Sequence, residues 1–197
     1  MRRKIATYAF QTVAIAILYA LVTILQDRIF GFAKGPGIQA RMAEALTILP
    51  VFTGAAIPGL FIGCLIANYV VLVLFQAGPV PLEPLYWDII CGSLATMIGA
   101  IGTYLIRNRI GKNKYLASVP PIIINVAVLP LLFFYKFHGD ETFLFLVGSI
   151  GVGELLACGI FGTALLLVLD DYKDRLFPTL SASEETDPSG DTEEDTE

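Results

Sequence analysis

The sequence predicts an all-α membrane protein, a bundle of six transmembrane helices. Of its 197 residues, 55% are hydrophobic and only 16% are charged, whereas ordinary soluble domains carry about 25% charged residues. The apolar residues also cluster into runs of about 20, the length that a helix needs to cross a bilayer. The runs show no alternation of polar and apolar residues, so helices are favoured over the strands of a barrel.

Six apolar segments follow one another along the chain. They are Ile5–Leu25, Ala43–Phe52, Ile57–Phe75, Asp88–Ile106, Ala117–Phe137 and Phe143–Leu169. The first is longer than the apolar stretch of a signal peptide and no small-residue cleavage site follows it, so we interpret it as a spanning helix. The second is short, and we expect it to tilt or to cross only half of the bilayer.

Charge patterning divides the chain into two parts and orients it. We expect residues 1–176 to form the helical membrane domain and residues 177–197 to form a disordered acidic tail. The stretch Ser181–Glu197 holds eight of the 18 acidic residues, no basic residue and little apolar surface, a composition typical of disorder.

Basic residues place both termini in the cytoplasm, because cytoplasmic loops are enriched in lysine and arginine. Nine basic residues conform, in the clusters Arg2–Lys4, Arg107–Lys114 and Lys173–Arg175. Three residues of the first outside loop depart from the rule: Arg28, Lys34 and Arg41.

Polar residues within the apolar segments all fall between the outer face and the midplane of this topology. They are Glu44, Asn68, Asp88, Asn125 and Glu154. Glu154 lies 11 residues into the sixth segment, about 16 Å deep at the rise of an α-helix. A charge at the centre of a membrane helix costs ~3 kcal/mol or more. The clustering favours a polar cavity open to the outside; the alternative is that these groups pair only to associate helices.

Two further patterns concern packing and the first loop. Small residues share a helix face with Asp88 and with Glu154, which directs these carboxylates toward neighbouring helices. Arg41 and Glu44 are three residues apart and can pair on one helical face. They either form a local salt bridge or belong to a loop that closes over a ligand.

Enzymatic chemistry is not indicated. The chain has no GxxxxGK[ST] phosphate loop, so we do not expect it to hydrolyse ATP. His138 is the only histidine, and the three cysteines show no paired spacing. These features exclude a histidine-rich metal site, and we expect no catalytic residue, resident metal or cofactor.

Several ordered motifs resemble the QueT family. They are ARMAEALTILPVFTGAAIPGLFIGCLIAN at 40–68, WDIICGSLATMIGA at 87–100, PPIIINVAV at 120–128 and GELLAC at 153–158. The resemblance covers nearly all of the chain apart from the tail. It implies a six-helix substrate-binding (S) component of an energy-coupling factor (ECF) transporter in the cell membrane, with a queuosine precursor as cargo, either an aminomethyl-deazaguanine or queuine. It also implies a transmembrane coupling protein and two cytoplasmic ATPases as partners.

The resemblance gives roles to particular residues. The carboxylates Glu44, Asp88 and Glu154 would accept from the ring edge and neutralise the ammonium of the ligand, with Arg41, Asn68 and Asn125 nearby and Trp87 or Tyr86 stacking on the ring. Ala16 and Ala20 would contact the coupling protein. Three alternatives stay open: an ion-coupled secondary transporter, an S component for another vitamin-like heterocycle, and a small structural or assembly protein of the membrane.

Overall fold

The structure, a computed structural model, describes residues 2–30, 41–75, 82–110, 113–137 and 142–176. Within these ranges the chain is helical and forms no strand, which confirms the predicted all-α bundle. Five helical segments are long and apolar enough to cross a membrane: Lys4–Ile29, Ala56–Leu74, Tyr86–Ile110, Lys114–Tyr135 and Phe143–Asp171. The predicted acidic tail, residues 177–197, lies outside the described residues, so the division into a domain and a tail stays a prediction.

The first three spans are built around long α-helices. Helix α1 is Arg2–Phe30. Helix α2 is Ala56–Tyr69, which continues as a π-helix over Val70–Leu74. Helix α3 is Leu82–Ile110.

The last two spans change their winding along their length. A short 3₁₀ turn, Lys114–Ser118, leads into α4, Val119–Leu132, and a π-helix follows over Phe133–Phe137. The final span consists of α5, Phe143–Glu154, a π-helix over Leu155–Gly162, and α6, Thr163–Asp171. A last turn, α7, covers Lys173–Leu176.

The second predicted segment is a 3₁₀ helix, Met42–Val51. Ten residues at about 2.0 Å per residue cover about 20 Å, less than the ~30 Å hydrocarbon core of a bilayer. Eight of its residues, Ala43 to Pro50, are buried. It packs against α1, α3 and the π-helix of the last span, so this short segment lies inside the bundle with helices on several sides.

Helices α1 and α2 approach each other closely at two glycines. A Cβ atom placed on Gly59 would lie 2.8 Å from the carbonyl oxygen of Thr12, and one on Gly63 would lie 2.7 Å from that of Ala16. Such distances leave no room for a side chain, so these two glycines of α2 serve close contact between the helix backbones. This contact fixes the face of α1 that carries Tyr19.

Helices α3 and α4 also pack at glycines. A Cβ on Gly99 would lie 2.8 Å from the Cα atom of Pro121, and one on Gly102 would lie 2.7 Å from the Cβ atom of Pro120. The hydroxyl group of Thr103 donates to the carbonyl oxygen of Ala117 at 3.0 Å. These contacts hold the two helices that contribute Asp88 and Asn125.

Candidate functional site

Glu44 is the central carboxylate of a buried polar cluster. It lies in the first turn of the 3₁₀ helix and is fully buried. Its Oε1 atom accepts hydrogen bonds from the hydroxyl groups of Tyr19, at 2.5 Å, and Thr96, at 2.9 Å. Its Oε2 atom is buried and has no partner in the described part of the chain. The Oε1 atom of this carboxylate is therefore held in place, while its Oε2 atom is available to accept a hydrogen bond from a ligand.

Glu154 brings a second carboxylate to the same place. It is the last residue of α5, and the thiol of Cys158, in the π-helix that follows, donates to its Oε2 atom at 3.3 Å. The carboxylate oxygens of Glu44 and Glu154 and the sulfur of Cys158 lie within 4.8 Å of one another. This spacing suits a bound cation, either a metal ion or an organic ammonium, because two buried carboxylates this close need a compensating positive charge.

The π-helix places Cys158 between these two acidic residues. The hydroxyl group of Ser118 donates to the carbonyl oxygen of Cys158 at 2.6 Å, so the altered winding still leaves this backbone group satisfied. The thiol sulfur lies 3.3 Å from the carbonyl oxygen of Glu44. The π-helix is thereby joined to the 3₁₀ helix where both carboxylates converge.

Asn125 of α4 adds an amide beside Glu154. It is fully buried, and its Nδ2 atom has no hydrogen-bond partner among the described residues. An unpaired buried donor costs about 1–3 kcal/mol. A ligand that accepts from this amide would recover that cost.

A second group of polar atoms surrounds Gly92 on α3. A Cβ atom on Gly92 would lie 3.4 Å from Nδ2 of Asn68, 3.6 Å from Nη1 of Arg41 and 3.6 Å from Oδ1 of Asp88. The Nη2 atom of Arg41 donates to Oδ1 of Asn68 at 3.3 Å. Because Gly92 has no side chain, a guanidinium, an amide and a carboxylate can come together above one turn of α3.

Asp88 and Arg41 are close without forming an ion pair. Within the described ranges the ion pair that forms is Lys114–Asp170, and the buried Oδ1 atom of Asp88 has no partner there. Burial acts to lower the pKa of Arg41, but nearby Asp88 and other acidic groups raise it above its ordinary value. Arg41 therefore stays a cation and compensates one of the three buried carboxylates.

Cys64 and Thr96 join the two groups into one cluster. Nδ2 of Asn68 lies 3.5 Å from the sulfur of Cys64, and the hydroxyl group of Thr96 lies 3.6 Å from the same sulfur. Thr96 also donates to Glu44. A continuous path of polar contacts thus runs from Arg41 to Glu154 through the 3₁₀ helix and three of the five spans.

Comparison with known proteins agrees with a helical membrane bundle that holds a buried polar cluster. The model of the QueT transporter family matches residues 9–171, which is most of the chain. The chain belongs to the QueT transporter family. No curated protein and no solved structure matches it. The QueT-family chain is thus a multi-pass membrane component of a transporter, which agrees with its apolar helices.

Six of the seven predicted substrate-binding residues lie in this cluster of the QueT-family chain: Arg41, Glu44, Asn68, Asp88, Asn125 and Glu154. Arg41 bonds to Asn68 and not to Glu44, so the local salt bridge considered from the sequence does not form. Trp87 is 43% exposed and lies outside the buried cluster. The loop before Arg41, residues 31–40, lies outside the described residues, so its closing over a ligand stays a prediction.

Ala16 and Ala20 have a different place from the one predicted. They are 6% and 8% exposed, and the backbone of Ala16 lies against Gly63 of α2. Their small side chains serve packing inside this chain, so they present no surface to a coupling protein in this structure. The prediction treated a pair of alanines four residues apart as an external contact, but the same spacing serves an internal one equally well.

Sequence reasoning gave no role to Tyr19, Thr96, Cys64 or Cys158 as polar neighbours of the carboxylates. Tyr19 offered a usable signal, since a hydroxyl group within a long apolar helix needs a partner. Thr96 and Cys158 are small residues on the helix faces of Asp88 and Glu154, a pattern that indicates packing but no hydrogen bond. Their hydrogen bonds depend on the 3₁₀ and π windings, which no residue pattern in this chain indicated.

Removing the hydroxyl group of Tyr19 tests its support of Glu44. We expect Tyr19→Phe to destabilise the protein by about 2 kcal/mol, because it deletes a buried hydrogen bond to a carboxylate. Thermal unfolding of the purified protein in detergent measures this. The matched control is Tyr8→Phe, which removes a hydrogen bond from an exposed tyrosine to the carbonyl oxygen of Gly54 and should have a smaller effect. Equal effects of the two substitutions would contradict the role given to Tyr19.

Proposed function

We propose that the chain is the S component of an ECF-type importer and binds a queuosine precursor, an aminomethyl-deazaguanine. The observation that carries the proposal is the convergence of buried carboxylates with unpaired atoms. Glu44, Asp88 and Asn125 each keep one buried polar atom without a partner among the described residues. Natural proteins rarely leave such atoms unpaired, and a polar ligand would pair them.

The two halves of the cluster suit the two ends of such a ligand. The ring edge of a deazaguanine carries neighbouring N–H and amino donors next to a carbonyl oxygen, and the aminomethyl group extends from the opposite side of the fused ring. The oxygens of Glu44 and Glu154 lie within 4.8 Å of each other, too close to bind opposite ends. The pair therefore acts on one end together.

The distribution of charge indicates which half of the cluster binds which end of the ligand. Glu44 and Glu154 have no cation between them in the described structure, so they are suited to the ammonium of the aminomethyl group. Asp88 has Arg41 and Asn68 beside it. A carboxylate can accept from both ring-edge donors as a bidentate pair, while the guanidinium or the amide donates to the ring carbonyl. Stacking of Trp87 on the ring stays a prediction.

The proposed partners are a transmembrane coupling protein and two ATPases. The chain contains no phosphate loop, so ATP hydrolysis for import must come from other subunits. In the proposed mechanism the ligand is captured from the outside and released inward when these subunits rotate the S component in the membrane. Co-purification with a coupling protein and ATPases supports this assembly, and their absence from a native complex contradicts it.

Ligand binding to the purified chain tests the function. We expect saturable binding of the aminomethyl-deazaguanine, and binding weaker by about 30-fold for the analogue with a neutral nitrile in place of the aminomethyl group, since an uncompensated buried charge pair costs 2 kcal/mol or more. Guanine and unrelated vitamins serve as controls. Calorimetry on the detergent-solubilised protein measures both affinities. If no deazaguanine binds saturably, the substrate assignment is wrong.

An ion-coupled secondary transporter is the second candidate, because two neighbouring buried carboxylates also suit proton or cation coupling. The same separation of 4.8 Å or less between Glu44 and Glu154 favours it. Liposomes that contain the chain alone distinguish the two functions. Uptake driven by an ion gradient without ATPases supports this candidate, whereas uptake that requires the ATPase subunits supports the S component.

A further inference from the structure

A cavity lies at the end of the bundle away from the polar cluster. It has a volume of about 220 Å³ and is lined by Lys4, Tyr8 and Gln11 of α1, by Tyr104 and Arg107 of α3, and by residues 50–54 after the 3₁₀ helix. Asp88 and Arg107 lie 19 residues apart on α3, about 28 Å along the helix axis. The cavity is therefore nearly one bilayer core away from the polar cluster.

The cavity carries positive charge. Lys4 and Arg107 line it, and none of its lining residues is acidic. In the ranges that the structure covers, neither residue forms an ion pair. The guanidinium of Arg107 stacks on the ring of Tyr104 at 3.6 Å and donates to the carbonyl oxygen of Tyr104 at 3.3 Å. A rotamer-rich cation is thus held in one position, which suits it to bind an anion.

Three further polar side chains of the cavity, Tyr8, Gln11 and Thr53, form hydrogen bonds within the chain. The hydroxyl group of Tyr8 donates to the carbonyl oxygen of Gly54 at 3.2 Å, and that of Thr53 donates to Oε1 of Gln11 at 2.9 Å. These bonds join α1 to the segment that follows the 3₁₀ helix. The cavity is therefore a shaped site between elements, not a gap beside a single helix.

The cavity lies where the chain enters or leaves the membrane. Lys4 is the first residue of the first candidate span, and Arg107 lies in the last turn of α3. Tyrosines such as Tyr8 and Tyr104 are typical of the membrane interface. Basic pockets between membrane helices at this level bind the headgroups of anionic lipids.

We propose that this cavity binds an anionic phospholipid. The phosphate group lies between Lys4 and Arg107, and the glycerol and the start of an acyl chain lie along Pro50, Val51 and Phe52. A free phosphate ion would use the two cations but gain nothing from this apolar wall. The wall and the position at the interface favour the lipid. The bound lipid would tie α1 to α3 on the side opposite the polar cluster.

Lipid titration of the purified full chain tests the proposal. Phosphatidylglycerol and phosphatidylcholine are added to the detergent-solubilised protein, and bound lipid is counted by native mass spectrometry. We expect phosphatidylglycerol to bind preferentially, and the double substitution Lys4→Gln with Arg107→Gln to weaken it about 25-fold, since each basic residue contributes about fivefold near an anionic surface.

Two further variants and one competitor make the result decisive. Arg109→Gln is the matched control, since Arg109 lies in the same last turn of α3 but does not line the cavity; it should leave binding unchanged. The charge-conserving pair Lys4→Arg and Arg107→Lys should restore most of the affinity. Equal binding of the two lipids, or displacement of phosphatidylglycerol by millimolar inorganic phosphate, would overturn the lipid assignment.

Discussion

Replacing Glu44 by glutamine is expected to weaken binding of the aminomethyl-deazaguanine by about 100-fold. The substitution keeps an oxygen that accepts from Tyr19 and Thr96, but it removes one of the two charges that face the ligand ammonium. Losing one partner of a buried charge pair costs 2–5 kcal/mol, and 100-fold corresponds to about 2.7 kcal/mol. Calorimetry with the purified variant measures the change.

The same substitution is expected to leave the ligand-free protein equally stable or more stable. Glu44 and Glu154 lie close together in the absence of ligand, and glutamine replaces one carboxylate by an amide that can donate to the other. Asp171→Asn is the control, since Asp171 is an exposed carboxylate outside the cluster, and it should change neither affinity nor melting temperature. A destabilised Glu44→Gln variant with normal affinity would show that Glu44 is structural.

Adding a single methyl group at Gly63 is expected to destabilise the protein by about 3 kcal/mol. The new Cβ atom would lie 2.7 Å from the carbonyl oxygen of Ala16 and 2.9 Å from the Cβ atom of Tyr19. The nearest contact is a backbone atom, so the strain is relieved only if α1 moves away from α2. That movement would also withdraw the Tyr19 hydroxyl group from Glu44, so we expect ligand affinity to fall together with stability.

Gly148→Ala is the matched control for Gly63→Ala. Gly148 also lies within a helix, α5, but a Cβ atom there would have no neighbour within 4 Å. Alanine is favoured over glycine within helices by about 0.5–1 kcal/mol, so this variant should be unchanged or slightly more stable. Thermal unfolding in detergent compares the two. A Gly63→Ala variant as stable as Gly148→Ala would contradict the close backbone contact.

The sequence was sufficient to predict the helical bundle, because a lipid environment strongly constrains the composition of the segments that cross it. A run such as Phe143–Leu169 has few structural options in a bilayer other than a helix. The cost of burying a charge likewise made Glu44, Asp88 and Glu154 recognisable, and the topology predicted that they lie between the outer face and the midplane. The structure places them in one connected cluster.

The hydrogen-bond partners of these carboxylates could not be predicted from the sequence, because they depend on local helix winding and on packing between segments that are distant along the chain. Glu44 and Thr96 are 52 residues apart, and Cys158 reaches the carbonyl oxygen of Glu44 across 114 residues. The alanines at positions 16 and 20 illustrate the same limit. Their spacing indicates that one face of the helix carries small residues, but it does not indicate which helix packs against that face.

The π-helical turns after Glu154 have a consequence for how relatives of this chain diverge. Such turns close their hydrogen bonds over five residues instead of four, so they hold more residues than α-helical turns and can take up one extra residue. The last span can therefore lengthen or shorten there while the packing at both of its ends is inherited unchanged. Over evolutionary time this is the expected point at which one scaffold adapts to cargo of a different size.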